Sequence, residues 1–317
     1  MTEETLPQSP FLPGTRIQFA WDSTSLGYLK TCPRLYQYHM LEGWVPKDES
    51  IHLRFGQEYH AAIQDFETHR STGLQFDDAV RETIRALLVR IEDFDPDPTT
   101  KAGQYKNPRT LVQLVVDYLD EYREDGCETV ILDNGKPGVE LSFRFELDWG
   151  PVNTEQPYIL CGHLDRVVRF QDELFVLDHK TTTTTPSDYY FAGFSPNNQM
   201  TLYSFAGQVV LDTTIRGVIV EAAQICLEKP NKFVRQPTYR NDEVIDEWLN
   251  DLEYHLNAAE AYAAAGHWPM NDTACGNYGG CRFREVCSQP ARVRDTVLRA
   301  DFVQLPEELR WNPLRSR

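Results

Sequence analysis

The sequence predicts an α/β protein, because helical and strand periodicities occupy separate stretches of one chain. Apolar residues at spacings of three and four mark helices in the first third, and β-branched and aromatic residues in frequent alternation mark strands from Glu128 to Tyr239. A long helical pattern then returns over residues 242–265. With 41% hydrophobic and 25% charged side chains over 317 residues, the chain has the composition of a protein that buries a core.

Taken in order, residues 1–20 are acidic, Pro-rich and polar and read as a flexible segment. Ser23 and Ser25 are candidate caps for a helix carrying Leu26 and Leu29, which Pro33 stops just after Cys32. Phe55, Tyr59, Ile63 and Phe66 predict an amphipathic helix over residues 51–72, and two more follow at 77–94 and 110–124, separated by a polar loop at 95–109. Residues 21–127 are therefore expected to be helical. Strands are expected at 129–132, 139–149, 158–170, 174–180, 215–227 and 232–239, with a helix at 198–210, so that 128–240 form a sheet region. Residues 241–290 combine the long helix with a cysteine-bearing segment, and 291–317 read as a tail. No repeat and no clean linker divides the chain, so one elaborated domain is the expectation.

Composition narrows the functional classes. No apolar run approaches the roughly 18 residues a bilayer requires, and the N-terminus lacks a basic stretch followed by an apolar one, so neither a membrane span nor a secretion signal is expected. Seven cysteines, an odd number, predict a reducing compartment, the cytoplasm, with thiols as ligands or core residues. A net charge of -17 opposes a polyanionic partner at long range. Screening limits exposed charges to a reach of about 8 Å, however, so a basic groove can work on an acidic body. Lys101, Lys106 and Arg109 in one polar stretch, and Arg282, Arg284, Arg292 and Arg294 near the C-terminus, are candidates; singly, each reads equally well as a solvated charge.

The chemistry lies in the sheet region. Asp178 and Lys180 are two apart in a strand pattern and project from one face, while Asp165 lies on the preceding strand, joined to theirs by a short turn at residues 171–173. Two carboxylates thus converge beside one ammonium group, which suits phosphodiester hydrolysis. Asp165 and Asp178 offer hard oxygen ligands for Mg²⁺ or Mn²⁺, the backbone carbonyl of His179 is a further candidate ligand, and Lys180 can orient water or stabilise the transition state.

Gly162-His163-Leu164-Asp165-Arg166-Val167 followed by Val176-Leu177-Asp178-His179-Lys180-Thr181 resembles the second and third motifs of RecB-like nucleases in the PD-(D/E)XK superfamily. Gly56-Gln57-Glu58-Tyr59-His60 resembles the first motif of that group, in which a helical histidine serves the metal, and Gln199-Met200-Thr201-Leu202-Tyr203 resembles its Gln-x-x-x-Tyr signature. On a helix Gln199 and Tyr203 share a face, so both can reach the site or a DNA backbone. The resemblance spans roughly Ser23 to Cys287 and implies a central mixed β-sheet flanked by helices, a restriction-endonuclease-like core, with the metal site at its edge. Glu140, on its own strand, is a weaker candidate for the same site.

Cys275, Cys281 and Cys287 are separated by five residues each in a Gly-rich segment, and Cys32 is the best candidate for a fourth ligand. One early and three late cysteines is also the arrangement of iron-sulfur nucleases such as AddB and the CRISPR adaptation nucleases, and that resemblance implies a 4Fe-4S cluster. Zinc remains the alternative, although its sites favour tighter cysteine pairs. Joining Cys32 to Cys275 closes a loop of some 240 residues at an ideal-chain cost of roughly 5 kcal/mol, so the cluster is expected to act as a staple. Cys127, Cys161 and Cys226 sit in apolar strand patterns and read as core thiols.

The resemblance thus implies a deoxyribonuclease, an exonuclease acting on DNA ends or single strands, with recombination or repair proteins as partners, in a bacterial cytoplasm or encoded by a phage. Arg34, Lys101, Arg109, Arg282 and Arg284 are candidate phosphate contacts. The alternatives are a catalytically silent DNA-end-binding or recombination-accessory protein and a redox-sensing cluster protein; the intact Asp165, Asp178 and Lys180 speak against silence.

Overall fold

A computed structural model describes residues 9–48, 50–277 and 280–315. Strand β1 (Ala20–Trp21) leads into α1 (Ser23–Thr31), whose cap is Asp22 and not a serine: its carboxylate accepts from the Ser25 amide at 2.8 Å, and the Ser25 hydroxyl accepts from the Asp22 amide at 3.1 Å. After Cys32 the chain continues through α2 (Pro33–Tyr36), a π-helical turn at Gln37–Leu41 and β2 (Trp44–Pro46). Ser50 caps α3 (Ile51–Ser71), which is followed by α4 (Phe76–Arg90), the short α5 (Lys101–Tyr105) inside the expected loop, and α6 (Pro108–Glu121), capped by Asn107.

The sheet then builds from β3 (Glu128–Thr129), β4 (Val139–Glu146), β5 (Ile159–Phe170) and β6 (Glu173–Thr182). Helices α7 (Asp188–Ala192) and α8 (Asn198–Leu211) intervene before β7 (Gly217–Gln224) and β8 (Lys232–Tyr239). Helix α9 (Asp242–Ala265), α10 (Arg284–Ser288), α11 (Arg294–Asp301) and β9 (Phe302–Gln304) complete the chain.

Among the described residues seven strands form one mixed sheet along the path β1-β5-β6-β7-β8, with β3 and β4 also paired to β5. Gln171 and Asp172, at φ 51° and 63°, make the tight turn that sends β6 back antiparallel to β5, since two successive left-handed residues match the twist of the flanking strands. Parallel pairing of β6 with β7 uses α7 and α8 as the crossover, and β8 returns antiparallel. Buried on nearly its whole length, β7 reads as the continuous apolar run of a central strand.

The chain divides into two compact units. One comprises Glu49–Leu141 and His163–Ile245, and its helical core joins Phe55, Tyr59, Ile63 and Phe66 of α3 to Leu87 of α4 and to Leu111, Leu114, Val115 and Tyr118 of α6. The other comprises Met1–Asp48, Ser142–Gly162 and Asp246–Arg317. There Tyr38, Trp44, Phe283, Val286, Leu298 and Phe302 form a core against which Cys281 and Cys287 pack. The segment expected as a C-terminal tail is ordered: α11 is followed by β9, which pairs antiparallel with β2, and Phe283 stacks on Phe302 at 4.8 Å. Neither two- nor three-residue strand carries a sequence period, so packing and not pattern specifies them.

Candidate active site

Helix α3 and strands β4, β5 and β6 bring the motif residues together. The β5–β6 register pairs Arg166 with Leu177, which sets Asp165 and Asp178 one step further along the two strands. His60, two turns into α3, presents Nδ1 at 3.2 Å from Asp165 Oδ2 and Nε2 at 2.8 Å from the His179 carbonyl oxygen. The same Asp165 oxygen accepts from the His179 amide at 3.0 Å, so the main chain between Asp178 and Lys180 is tied to both other motif residues. Glu140, held at φ 46° on β4, brings its carboxylate within 4.8 Å of ligand atoms of His60 and Asp165. A left-handed non-glycine residue costs about 1–3 kcal/mol, and such strain collects at functional sites.

Lys180 donates to Asp178 Oδ1 at 2.9 Å and to Gln199 Oε1 at 3.1 Å, and Gln199 in turn donates to the Tyr203 hydroxyl at 3.0 Å. The Gln-x-x-x-Tyr pair therefore acts on the lysine, one helical turn steadying the next. Asp178 is 1% exposed, and its Oδ2 lies 2.7 Å from the lysine nitrogen without hydrogen-bond geometry, leaving a buried anionic oxygen otherwise unmatched. Burial pushes the Asp178 carboxyl up, and the charge of Asp165 adds to this against the pull of Lys180. Burial also works to raise Asp165, but the His60 imidazole outweighs it and holds Asp165 well below the usual carboxylate range. For His60 burial is the opposing effect, and Asp165 overcomes it, so the imidazole titrates above its ordinary value. His60, Glu140 and Asp165 are half-buried and set ligand atoms within 4.8 Å of one another, a donor set that fits a divalent cation, whereas Asp178, buried against Lys180, is not among that group.

The opposite face of β6 holds residues that motif matching passed over. The His179 ring is buried with Nδ1 at 3.0 Å from Glu221 of β7, and Glu221, 0% exposed, accepts from Arg235 Nε of β8 at 2.6 Å. Arg235 continues to Asp125 at 3.1 Å, Asp125 pairs with Arg166 at 3.1 Å, and Arg166 meets Glu67 at 3.3 Å. Burial raises the Glu221 carboxyl, yet His179 and Arg235 outweigh it and hold the group ionised. The sequence signal was present: Glu221 is the lone acid in the apolar run Val218–Ala223.

All seven cysteines are free thiols. Cys32, Cys275, Cys281 and Cys287 belong to one unit, and His60, Asp165 and Asp178 to the other. Burial raises the Cys281 thiol and charge at Cys275 and Cys32 adds to it; burial raises Cys287 likewise, with Arg34 and Arg294 opposing and Cys281 and Cys32 reinforcing. The four sulfurs are therefore electrostatic neighbours. Among the described residues no three of them stand within 4.8 Å of one another. Cys32 Sγ accepts from the Asn271 amide at 3.3 Å. Arg34, expected on DNA, is 8% exposed and donates Nε to the Trp268 carbonyl at 3.1 Å, and its charge acts on the Cys287 thiol. Cys127 and Cys161 are buried as expected, while Cys226 is only half-buried. Lys101 and Arg109 are exposed, whereas Lys106 is buried.

No described helix is long and apolar enough to cross a membrane. No curated protein matches the chain. Among solved structures it is similar to one described as "Putative exonuclease" from Eubacterium rectale, with 12% identity over 88% of this chain and 92% of that one at a TM-score of 0.48. It is also similar to SSO0001, with 10% identity over 75% and 77% of the two chains at a TM-score of 0.29. The family model of the PD-(D/E)XK nuclease superfamily matches residues 23–288, the span that contains His60, Asp165, Asp178 and Lys180, and the chain belongs to that superfamily.

Proposed function

We propose that this chain is a deoxyribonuclease that hydrolyses phosphodiester bonds at DNA ends or in single strands with Mg²⁺ or Mn²⁺, and that Cys32, Cys275, Cys281 and Cys287 hold a 4Fe-4S cluster. The observation that carries the catalytic reading is the meeting of His60, Asp165 and the His179 carbonyl beside the Asp178–Lys180 pair. His60, Asp165, Asp178 and the His179 carbonyl oxygen are the metal-holding set, with Glu140 as a further carboxylate. Neighbouring ligands of an octahedral ion with bonds of about 2.1 Å stand roughly 3 Å apart. The 2.8 Å between His60 Nε2 and the His179 oxygen fits that spacing. When bound, the ion lowers the pKa of a water and neutralises charge on the phosphate.

The chain's own groups supply the rest. Lys180, clamped by Asp178 and Gln199, presents a fixed positive charge to the attacking water and to the phosphate oxygen that gains charge. Tyr203 fixes Gln199, and the His179 amide fixes Asp165, so little reorganisation accompanies the reaction. Exonuclease action and repair or recombination partners rest on the RecB-like form of the motifs. For the cysteines, sulfurs of a tetrahedral zinc site with bonds of about 2.3 Å stand roughly 3.8 Å apart. What supports a cluster is the likeness of one early and three late cysteines to the arrangement of iron-sulfur nucleases. The cluster's direct effect is to tie Cys32 to the C-terminal cysteines of the same unit.

End-labelled single- and double-stranded DNA incubated with Mg²⁺ or Mn²⁺ tests the proposal. The expected result is metal-dependent shortening that Asp178→Ala reduces by roughly 10³-fold. Wild-type protein that binds DNA but leaves it intact with both metals would instead support the silent end-binding reading.

A further inference from the structure

Lys106, at the C-terminal end of α5, is 5% exposed. Its ammonium donates to the Thr181 hydroxyl at 3.3 Å and stands 5.3 Å from the centre of the Phe55 ring. Among the described residues no carboxylate lies within ion-pair distance of it, and burial, with no acidic neighbour to oppose it, brings its pKa down to about 8. Its own charge is felt by His52, which burial and Lys106 both push toward the neutral form. A buried ammonium without an acid is costly to the fold. One of its three donors is spent on Thr181, and the other two have no protein acceptor among the described residues.

Besides the Phe55 ring, two neighbours of the ammonium favour negative charge. His52 lies in the first turn of α3, a 21-residue helix whose N-terminal end carries a partial positive charge. Thr181 follows Lys180 on β6 and, by the alternation of the strand, offers its hydroxyl on the opposite face, that of His179. His52 precedes His60 on the same helix by eight residues, roughly 12 Å of rise, which corresponds to a few nucleotides of a nucleic-acid strand. The geometry points to Lys106, Thr181 and His52 as a binding site for a backbone phosphate of the nucleic-acid strand, a few nucleotides from the bond cut beside Lys180. That the ligand is a strand, and not a free phosphate ion, rests on the nuclease reading.

Anisotropy of a labelled single-stranded oligonucleotide, measured in EDTA over a range of salt, tests the site with the full-length protein. Lys106→Met is expected to bind about tenfold more weakly at low salt, with a slope of log affinity against log salt shallower by roughly 0.7, the share of one phosphate contact. Lys106→Arg keeps most of the wild-type slope, and Lys106→Met melts no lower than wild type. Unchanged affinity and slope in Lys106→Met overturn the site; so does a lowered melting temperature accompanying the lost binding, which would mark a structural lysine. Inorganic phosphate that binds wild type but not Lys106→Met as tightly as the oligonucleotide does reassigns the site to the free ion and overturns the strand contact. The two readings separate cleanly. Wild type that cuts DNA while Lys106→Met binds and cuts equally removes only the phosphate site. Wild type that cuts nothing, yet loses oligonucleotide binding with Lys106→Met, removes only the nuclease.

Discussion

Asp165 and Asp178 bear the same functional group and behave differently because of their surroundings. His60 faces Asp165 and outweighs its burial, whereas burial first, and the charge of Asp165 after it, push Asp178 toward its neutral form despite Lys180. His60 is the counterpart: burial favours its neutral form, Asp165 outweighs burial, and its pKa lies above the ordinary histidine value. A metal ion must therefore displace a proton from the imidazole. Since the group is protonated below its raised pKa, metal affinity is expected to fall as pH falls through that value and to be retained above it. Titration calorimetry with Mn²⁺ should show binding at least roughly tenfold weaker near pH 6 than near pH 8, with proton release to the buffer. Equal affinities would mean that His60 does not ligate. These residues were legible in the sequence because each stands in a short local motif. Lys106 was not, beyond its charge, because its burial and its lack of an acid are set by Phe55, His52 and Thr181, which are distant in sequence.

At the scale of elements, alternation along β6 explains both the site and what supports it. Asp178 and Lys180 project to one face, so His179 must project to the other, where Glu221, Arg235, Asp125, Arg166 and Glu67 form a buried charged chain. The His179 main chain touches Asp165 and His60, so this chain of charges also fixes the strand segment that carries the site. Glu221→Ala leaves an arginine and a histidine without their buried acceptor and is expected to cost about 3–5 kcal/mol, with Glu221→Gln milder because it keeps a hydrogen-bonding oxygen. Urea unfolding measures this; an Ala variant as stable as wild type would show the network to be dispensable. The long elements were readable from pattern: α9 (Asp242–Ala265) and β8 (Lys232–Tyr239) match their expected bounds, and α3 ends one residue early at Ser71. What pattern could not give were β1, β2, β9 and α5, which are too short for a period and depend on partners far along the chain.

For the whole molecule, a net charge of -17 is compatible with local contact to phosphate, because screening confines exposed charges to a reach of about 8 Å at physiological salt. The cysteine arithmetic identified thiols that are electrostatic neighbours, and the staple expected of them would tie parts of a single unit. All four cysteines lie in the unit of Phe283 and Phe302, and His60 lies with Asp165 and Asp178 in the other. Sequence distance alone could not reveal which unit each belonged to. The most direct measurement is the anomalous scattering of Mn²⁺-soaked crystals of anaerobically prepared protein. A manganese peak bounded by His60, Asp165, Asp178 and the His179 carbonyl oxygen is the expected result, whereas saturating manganese that leaves Asp178 paired only with Lys180, or a peak away from these residues, would contradict a metal-dependent site.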